Sequence, residues 1–356
     1  MCIYPKLMLN RKYIANKKNG GNPPPVTDER TRYVPVGCGK CIECMKQRSR
    51  GWQIRLTEEI RTDRTGKFVT MTFSEQSLME LEQAVHEKYK RQLEVMNKDL
   101  GTKLQYKEIT GYELDNEIAT IAVRRFLERW RKEYGRSVKH WLVTELGETN
   151  TERLHIHGII WTNEPKDITE KIWKYGNLNK RDKDWRDNYC NEATVNYIVK
   201  YIHQTDENHK YYKPIVLTSA GIGKEYIKRP DIKKNTYKIG NTDETYRTRQ
   251  GYKMAMPSYY RNKIYNEQER EQLWIEKLNK QERWVIGHKI DVSKNENDYN
   301  NMLSVAREKN RLLGYGNDEV NKENKAQEQI RRNIIRWTRI KKLEALQSND
   351  MGAKKN

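Results

Sequence analysis

Two apolar segments separated by a polar turn constrain the fold of this chain most strongly. WLVTEL (141–146) and LHIHGIIW (154–161) are rich in branched and aromatic residues, and GETNTER separates them. Such a pair predicts an antiparallel β-hairpin. Side chains alternate along a strand, so His155 and His157 share one face and their aliphatic neighbours take the other. The sequence therefore predicts two imidazoles side by side on one face of a sheet.

The hairpin also supplies candidate metal ligands. Imidazole is the commonest metal ligand among side chains, and Glu145 is expected beside His155 or His157 across the hairpin. Glu148, nearer the turn, is a reserve candidate. Two imidazoles and one carboxylate leave coordination positions open, which suits Mg²⁺ or Mn²⁺ bound to a phosphate, or Zn²⁺ that activates water. An isolated His-x-His is more often a pair of ordinary histidines than a metal site. The residues around it must therefore decide between these two interpretations.

A short helix is predicted next, over residues 192–204 (EATVNYIVKYIHQ). Its apolar residues recur at helical spacing: Val195, Ile198, Val199 and Ile202. Tyr197 and Tyr201 lie one turn apart and are expected to point away from that buried stripe. A phenol can attack a phosphodiester and form a phosphotyrosine bond, which a metal would assist. Lys200 could stabilise the phosphate charge or lower the pKa of a phenol.

Further patterns set the fold class. KFVTMTF (67–73) alternates apolar residues with threonines, which is typical of a strand with one buried face. Helices are expected from about 41 to 64, from Ser74 to about 98, and from about 114 to 134, before Gly135. The predicted fold class is α+β, with a central antiparallel sheet flanked by helices and a helical, basic C-terminal region.

The charge of the chain indicates a polyanionic partner. The 356 residues include 69 Lys and Arg against 49 Asp and Glu, a net charge of +20. Nucleic acid is the simplest such partner, well ahead of a membrane, and no segment approaches the roughly 20 apolar residues that span a bilayer. Basic residues of the predicted helix 114–134 could line a phosphate track: Arg124, Arg125, Arg129, Arg131 and Lys132.

The cysteines suggest a second metal. Cys38, Cys41 and Cys44 form C-x-x-C-x-x-C, and Cys2 is a possible fourth ligand. Four thiolates can hold a structural Zn²⁺. An iron–sulfur cluster and reduced, unliganded thiols are the alternatives. Cys190 is expected only to pack in a core.

Three blocks, taken in order, resemble the motifs of the HUH endonucleases that initiate rolling-circle replication. FVTMTFS (68–74) resembles their first motif, LHIHG their metal motif, and YIVKY (197–201) the two-tyrosine motif of single-stranded DNA phage initiators. The chain is most similar to initiators of the gokushovirus branch of the microviruses, on MCIYPK, VGCGKCIECMKQRSRGWQIRL, VRRFLERWRKE and VTELGE. Leu154 stands where relatives often carry proline. The resemblance covers about residues 1 to 205.

The resemblance implies a fold, a chemistry and partners. It implies Mg²⁺ or Mn²⁺ on the sheet, the tyrosine helix across from it, and a 5′-phosphotyrosyl intermediate on origin DNA that is supercoiled or single-stranded. Three regions are then expected: an N-terminal cysteine-containing arm and helix (1–66), an HUH-type nicking domain (67–215) and a basic, helical C-terminal region (216–356). The chain has no GxxxxGK[ST] loop, so it is not expected to unwind DNA itself. A host helicase and polymerase are therefore expected as partners, in the bacterial cytoplasm.

Other readings stay open at this point. The C-terminal region could dock on the nicking domain, bind duplex DNA or contact a helicase. Its large apolar residues are expected in helices: Trp274, Trp284, Ile334, Ile335, Trp337 and Ile340. A plasmid initiator, relaxase or transposase would use the same chemistry. A metal hydrolase using Zn²⁺-bound water, or a non-enzymatic, zinc-stabilised nucleic-acid-binding protein, would not use the tyrosines as nucleophiles.

Overall fold

The computed structural model describes residues 2–147, 152–179, 185, 190–204, 206–315 and 319–353. The strands, in chain order, are β1 (Lys6–Leu9), β2 (Tyr33–Val36), β3 (Gly66–Met71), β4 (Lys139–Leu146), β5 (Leu154–Trp161), β6 (Val216–Thr218), β7 (Thr245–Arg247), β8 (Lys253–Ala255), β9 (Glu282–Val285) and β10 (His288–Asp291). The α-helices are α1 (Ile42–Thr62), α2 (Glu75–Leu100), α3 (Gly111–Tyr134), α4 (Lys166–Trp173), α5 (Glu192–Lys200), α6 (Ser258–Ile264), α7 (Glu267–Asn279), α8 (Asn297–Leu312) and α9 (Glu319–Ala353).

The chain forms two compact units that alternate along the sequence. The first unit comprises residues 1–59 and 222–318, and the second comprises 60–221 and 319–356. Each unit is therefore built from two separate stretches of the chain. The α+β fold class is confirmed, because an antiparallel sheet is flanked by helices and the C-terminal region is largely helical.

An antiparallel sheet organises the second unit. Among the described residues, four strands pair in the order β3-β5-β4-β6. β4 and β5 form the predicted hairpin, in which His155 is opposite Glu145 and His157 is opposite Val143. On its other side, His157 is opposite Thr70 of β3. These five residues therefore lie on one face of the sheet.

The opposite face of this sheet carries the main hydrophobic core. Strand residues that alternate with the histidines are fully buried, among them Leu154, Ile156, Val69 and Met71. They pack with apolar residues of α2 and α3, and burial of this apolar surface is the main force that holds the layers together. The period of two in each strand places the histidines on the face opposite α2 and α3.

Gly158 allows β4 and β5 to approach closely. A Cβ atom at this position would lie 2.8 Å from the Cα atom of Leu142 and closer still to the carbonyl oxygen of Trp141. Backbone atoms cannot move aside as the end of a flexible side chain can. The glycine beside His157 is therefore required by the packing of the hairpin itself.

The C-terminal helix α9 belongs to the second unit and packs on α3. The N-cap residue of α3, Thr110, makes no side-chain capping bond. Instead, Asn333 and Gln329 of α9 accept hydrogen bonds from the first backbone N–H groups of α3, at 3.0 and 3.1 Å. Arg332 also donates two bonds of 3.0 Å to Asp115 of α3, and both side chains are buried. This part of the C-terminal region therefore packs against α3.

Three two-stranded ribbons lie in the described part of the first unit: β1–β2, β7–β8 and β9–β10. The expectation that Trp284 lies in a helix is wrong, since Trp284 lies in β9. The β9–β10 turn consists of Ile286 and Gly287, with φ angles of 47° and 84°. Positive φ at both central residues is typical of a two-residue type I′ turn. No helix within the described ranges is long and apolar enough to cross a membrane.

Candidate functional site

A hydrogen-bonded chain of three side chains lies on the face of the sheet opposite α2 and α3. The Nε2 atom of His157 contacts the carboxylate of Glu145 across the β4–β5 hairpin. The Nδ1 atom of His157 lies 3.1 Å from the hydroxyl oxygen of Thr70 on β3. His157 is 8% exposed, so both ring nitrogens are partnered in a largely buried setting. Three adjacent strands therefore fix the orientation of this imidazole.

Thr70 was not predicted as a site residue, although the pattern of β3 contains the signal. Val69 and Met71 face the core, so the alternation of a strand places Thr70 on the opposite face. What the sequence alone does not give is the register that puts this threonine beside His157. A hydroxyl can either donate to or accept from a ring nitrogen. Thr70 can therefore form a hydrogen bond with either neutral tautomer of His157.

His155 lies beside His157 on the same face of the sheet, opposite Glu145. Its ring centroid is 6.3 Å from that of His157, and its Cε1 atom lies toward the end of the hairpin, near Gly147. Within the described ranges, the ligand atoms that gather within 4.8 Å of one another belong to a cysteine cluster and not to these residues. The reserve candidate Glu148 lies outside the described residues.

The two tyrosines of α5 lie over the same face of the sheet. The ring of Tyr201 stacks on His157, with centroids 4.9 Å apart and planes 11° apart. The ring of Tyr197 meets Phe68 of β3 edge-on, at 5.9 Å. The Tyr201 hydroxyl donates a hydrogen bond of 2.6 Å to the Tyr197 oxygen. Both phenols are thus joined to each other beside the imidazole.

The two tyrosines, both expected to point away from the apolar stripe of their helix, differ in exposure. Tyr197 is 45% exposed, as expected, but Tyr201 is only 8% exposed. The helix ends at Lys200, and Tyr201 is its C-cap. The helical pattern places Tyr201 only relative to the apolar residues of its own helix. In the structure, the sheet covers Tyr201 from outside that helix. Tyr197 is therefore the phenol that solvent and a ligand can reach.

Lys200 lies against both rings. Its Nζ atom is 4.4 Å from the ring centroid of Tyr197 and 5.4 Å from that of Tyr201. An ammonium over a ring face is attracted by the electrons of the ring. Lys200 thus brings a positive charge to the two phenols, where it can favour bound phosphate.

A small cleft opens beside the site. It has a volume of about 40 Å³, and Glu145, Tyr201 and Gln204 line it together with Asp206 and His209. The His209 Nδ1 atom contacts Asp206, and its Nε2 atom lies 2.7 Å from Glu152. His209 is thus held by two carboxylates, as a structural histidine would be.

The basic residues of α3 divide into two groups. Arg129 donates hydrogen bonds of 2.7 Å to the backbone carbonyls of Ile172 and Trp173, at the end of α4. Its guanidinium therefore stabilises the end of that helix. Arg124 and Arg125 are exposed on the same helix as Arg129, so they are the better candidates for contact with phosphate.

The first unit contains the metal-ligand cluster predicted from cysteine spacing. The sulfur atoms of Cys2, Cys38, Cys41 and Cys44 all lie within 4.8 Å of one another, and all four cysteines are free thiols. This cluster can hold a metal ion such as zinc. Cys190 belongs to the second unit, where burial raises the pKa of its thiol to about 12.

Comparison with known proteins gives one family match. Residues 110–206 match the family model of the replication-associated protein ORF2. The match begins at the start of α3 and includes the β4–β5 hairpin and the tyrosine helix α5. No curated protein sequence and no solved structure gives a significant match. The segment that carries Glu145, the histidines and the tyrosines is therefore the segment similar to that family, which supports a role in replication.

Proposed function

We propose that this protein is a rolling-circle replication initiator that nicks one strand of origin DNA with a tyrosine nucleophile. The proposal is carried by one observation: Glu145, His157, Tyr197 and Tyr201 meet on one sheet face, inside the segment similar to a replication-associated family. The resemblance of three sequence blocks to HUH endonucleases supports the same chemistry. Similarity to gokushovirus initiators supports a phage source.

We propose that His155, His157 and Glu145 hold Mg²⁺ or Mn²⁺. The donor set of imidazole nitrogens and a carboxylate oxygen suits these ions, and the Nε2 atom of His157 already faces the carboxylate of Glu145. Because His155 lies opposite Glu145 in the hairpin, it is proposed as the third ligand. A bound ion would polarise a phosphoryl oxygen and orient the scissile phosphate.

Tyr197 is proposed as the first nucleophile. It is the more exposed phenol, and its oxygen accepts the hydrogen bond that Tyr201 donates. This hydrogen bond orients the Tyr197 oxygen, and Lys200 over the ring brings a positive charge close to the position of a bound phosphate. In the step itself, the Tyr197 oxygen bonds to phosphorus as the bond from phosphorus to the 3′ oxygen breaks. The phenol loses its proton and the 3′ oxygen gains one, leaving a 5′-phosphotyrosine and a 3′-hydroxyl.

Tyr201 is proposed to act in the second transfer. After one round of synthesis, a second phenol can cleave the regenerated origin while the first still carries the 5′ end. The released 3′-hydroxyl then attacks the first phosphotyrosine and closes the circle. Because Tyr201 is buried against His157, it must become more accessible before it attacks. The reaction conserves the energy of the phosphodiester in the covalent bond, so rejoining needs no nucleotide cofactor.

The partners follow from the same proposal. The substrate is supercoiled double-stranded origin DNA, whose cleaved strand is locally single-stranded, and the net charge of +20 favours its binding. Unwinding and synthesis would come from a host helicase and polymerase. The reaction would take place in the cytoplasm of the bacterial host, without a membrane partner.

The proposal is tested by looking for a covalent protein–DNA adduct. The protein is incubated with Mn²⁺ and single-stranded oligonucleotides that tile its own genome, and the products are separated on a denaturing gel. We expect a metal-dependent shifted band that Tyr197→Phe reduces strongly and Tyr197→Phe/Tyr201→Phe abolishes. Tyr134→Phe, in α3 of the same unit, is the matched control and should leave the adduct unchanged.

Other outcomes would select the other functions. Cleavage without an adduct would indicate a metal hydrolase that uses activated water. Binding without cleavage of any tiled oligonucleotide would indicate a non-enzymatic nucleic-acid-binding protein. An adduct formed on a plasmid origin or transposon end, and on no phage origin, would favour a plasmid initiator, relaxase or transposase.

A further inference from the structure

We infer that Cys2, Cys38, Cys41 and Cys44 bind one Zn²⁺ ion, which fastens the N-terminal segment of the first unit to the start of α1. The site lies in the first unit, whereas the proposed nicking residues lie in the second. The inference therefore does not rest on the proposed function, and either can fail without the other.

The sulfur positions fit a single tetrahedral ion. The Sγ atoms of Cys2 and Cys41 are 3.8 Å apart, and those of Cys38 and Cys44 are 4.0 Å apart. With zinc–sulfur bonds of about 2.3 Å, a tetrahedron has sulfur–sulfur edges of about 3.8 Å. A disulfide would bring two sulfurs to about 2.05 Å. An iron–sulfur cluster would spread the four thiolates farther apart, because iron and sulfide atoms stand between them.

Backbone N–H groups point at two of the four sulfur atoms. Binding converts four thiols and Zn²⁺ into a site of net charge −2 and releases four protons. The Cys2 sulfur accepts N–H bonds from Tyr4 and Cys38, at 3.3 and 3.2 Å. The Cys38 sulfur accepts N–H bonds from Lys40 and Cys41, at 3.4 and 3.3 Å. Helix α1 also begins beside Cys41, so the positive end of its dipole lies at the site.

A small hydrophobic core surrounds the cluster in the described part of the first unit. Apart from Cys41, its buried residues are few: Ile3, Val285, Tyr299, Leu303 and Ala306. They come from the N-terminal segment, β9 and α8, which are distant in sequence. Arg307 of α8 donates to the backbone carbonyl of Ile3, at 3.0 Å, and Asn310 accepts from the backbone N–H of Ile42, at 3.0 Å. A metal that cross-links such segments contributes its binding energy to folding.

The ligand set also assigns a structural role to the ion. Four protein thiolates fill all four positions of tetrahedral zinc, so neither water nor substrate can bind to it. This zinc would not serve as a Lewis acid for cleavage. Soft thiolates select zinc, whereas the imidazole and carboxylate donors of the second unit suit Mg²⁺ or Mn²⁺.

The test is a metal analysis of the full-length protein, purified with Mg²⁺ and without chelator. Mass spectrometry of the metals should find one zinc per chain and no stoichiometric iron. Cys38→Ser and Cys44→Ser should lose at least most of that zinc. Cys190→Ser is the matched control, because Cys190 is a buried free thiol of the other unit, and this variant should keep the full amount of zinc.

A second measurement covers the case in which the serine variants fail to fold. Wild-type protein is stripped of zinc and reconstituted with Co²⁺, whose visible absorption indicates tetrahedral thiolate coordination when its bands are intense. We expect those bands, together with protection of Cys2, Cys38, Cys41 and Cys44 from a thiol reagent until chelator is added. Zinc-free folded wild-type protein without these bands, or stoichiometric iron in place of zinc, would overturn the inference.

Discussion

Replacing Thr70 by valine should weaken divalent metal binding at the proposed nicking site. When His157 gives its Nε2 atom to a metal, its Nδ1 atom must carry the proton. The Thr70 hydroxyl, 3.1 Å from Nδ1, is the acceptor for that proton. Valine has nearly the same shape and no acceptor, so the metal-bound tautomer would leave a buried N–H group without a partner.

The size of the effect follows from that lost bond. An unsatisfied buried donor costs about 1–3 kcal/mol, and loss of such a supporting bond typically lowers metal affinity about 10–100-fold. We therefore expect the dissociation constant for Mn²⁺ to rise about 10–100-fold in Thr70→Val. The free Mn²⁺ signal in electron paramagnetic resonance measures this constant without requiring cleavage.

Two variants separate this role from a general effect on the sheet. Thr70→Ser keeps the hydroxyl and should bind Mn²⁺ nearly as well as the wild type. Thr72→Val, just beyond the end of the same strand, removes a hydroxyl that bonds to the backbone of Asn177 and should also leave the affinity unchanged. If Thr70→Val binds Mn²⁺ as tightly as the wild type, the tautomer argument is wrong.

Three further predictions concern stability and pH. Arg332→Met should destabilise the second unit by about 3–5 kcal/mol, because it leaves the buried carboxylate on α3 unpaired, whereas Arg91→Met in an exposed pair should cost less than about 1 kcal/mol; denaturant titration measures both. Gly158→Ala should cost at least about 1–3 kcal/mol through overpacking, while Gly51→Ala, whose Cβ would meet only an ordinary van der Waals contact, should stabilise α1 by about 0.5–1 kcal/mol. Burial lowers the pKa of His140 below its ordinary value of 6.5. Below pH 6.5 the unfolded chain therefore binds a proton at this histidine more readily than the folded chain does. The free energy of unfolding consequently falls as the pH drops below 6.5. His140→Gln should lose less melting temperature than the wild type when the pH is lowered from neutral through that value, and an equal loss would contradict this assignment.

Strong local periodicity made the core of the second unit predictable from sequence. The hairpin, the helices before it and the tyrosine helix each carry their own apolar pattern, and their predicted bounds differ from the observed ones by only a few residues. The sequence also predicted Glu145 beside His155 or His157, and the register of the hairpin places it opposite His155. Such features depend on residues that are close together in the chain, so they can be predicted from a single sequence.

Features that depend on distant residues were not predictable. Tyr201 is buried by the sheet rather than by its own helix, so no helical pattern could reveal it. The β9–β10 turn uses isoleucine at a positive φ angle, where asparagine or glycine would normally mark a type I′ turn. The docking of α9 onto α3 joins Asp115 and Arg332, which are far apart in the sequence.

The interleaving of the two units has a consequence for synthesis of the chain. Residues 60–221 contain the sheet and the tyrosines, whereas the buried carboxylate of Asp115 and the first N–H groups of α3 bond to side chains of α9. A ribosome reaches those partners after it has made all of the first unit. A nascent or prematurely terminated chain would therefore carry the histidines and tyrosines on a scaffold that lacks these bonds. If the protein nicks origin DNA as we propose, cleavage would be reserved for chains translated as far as α9, and the template would be protected from incomplete copies.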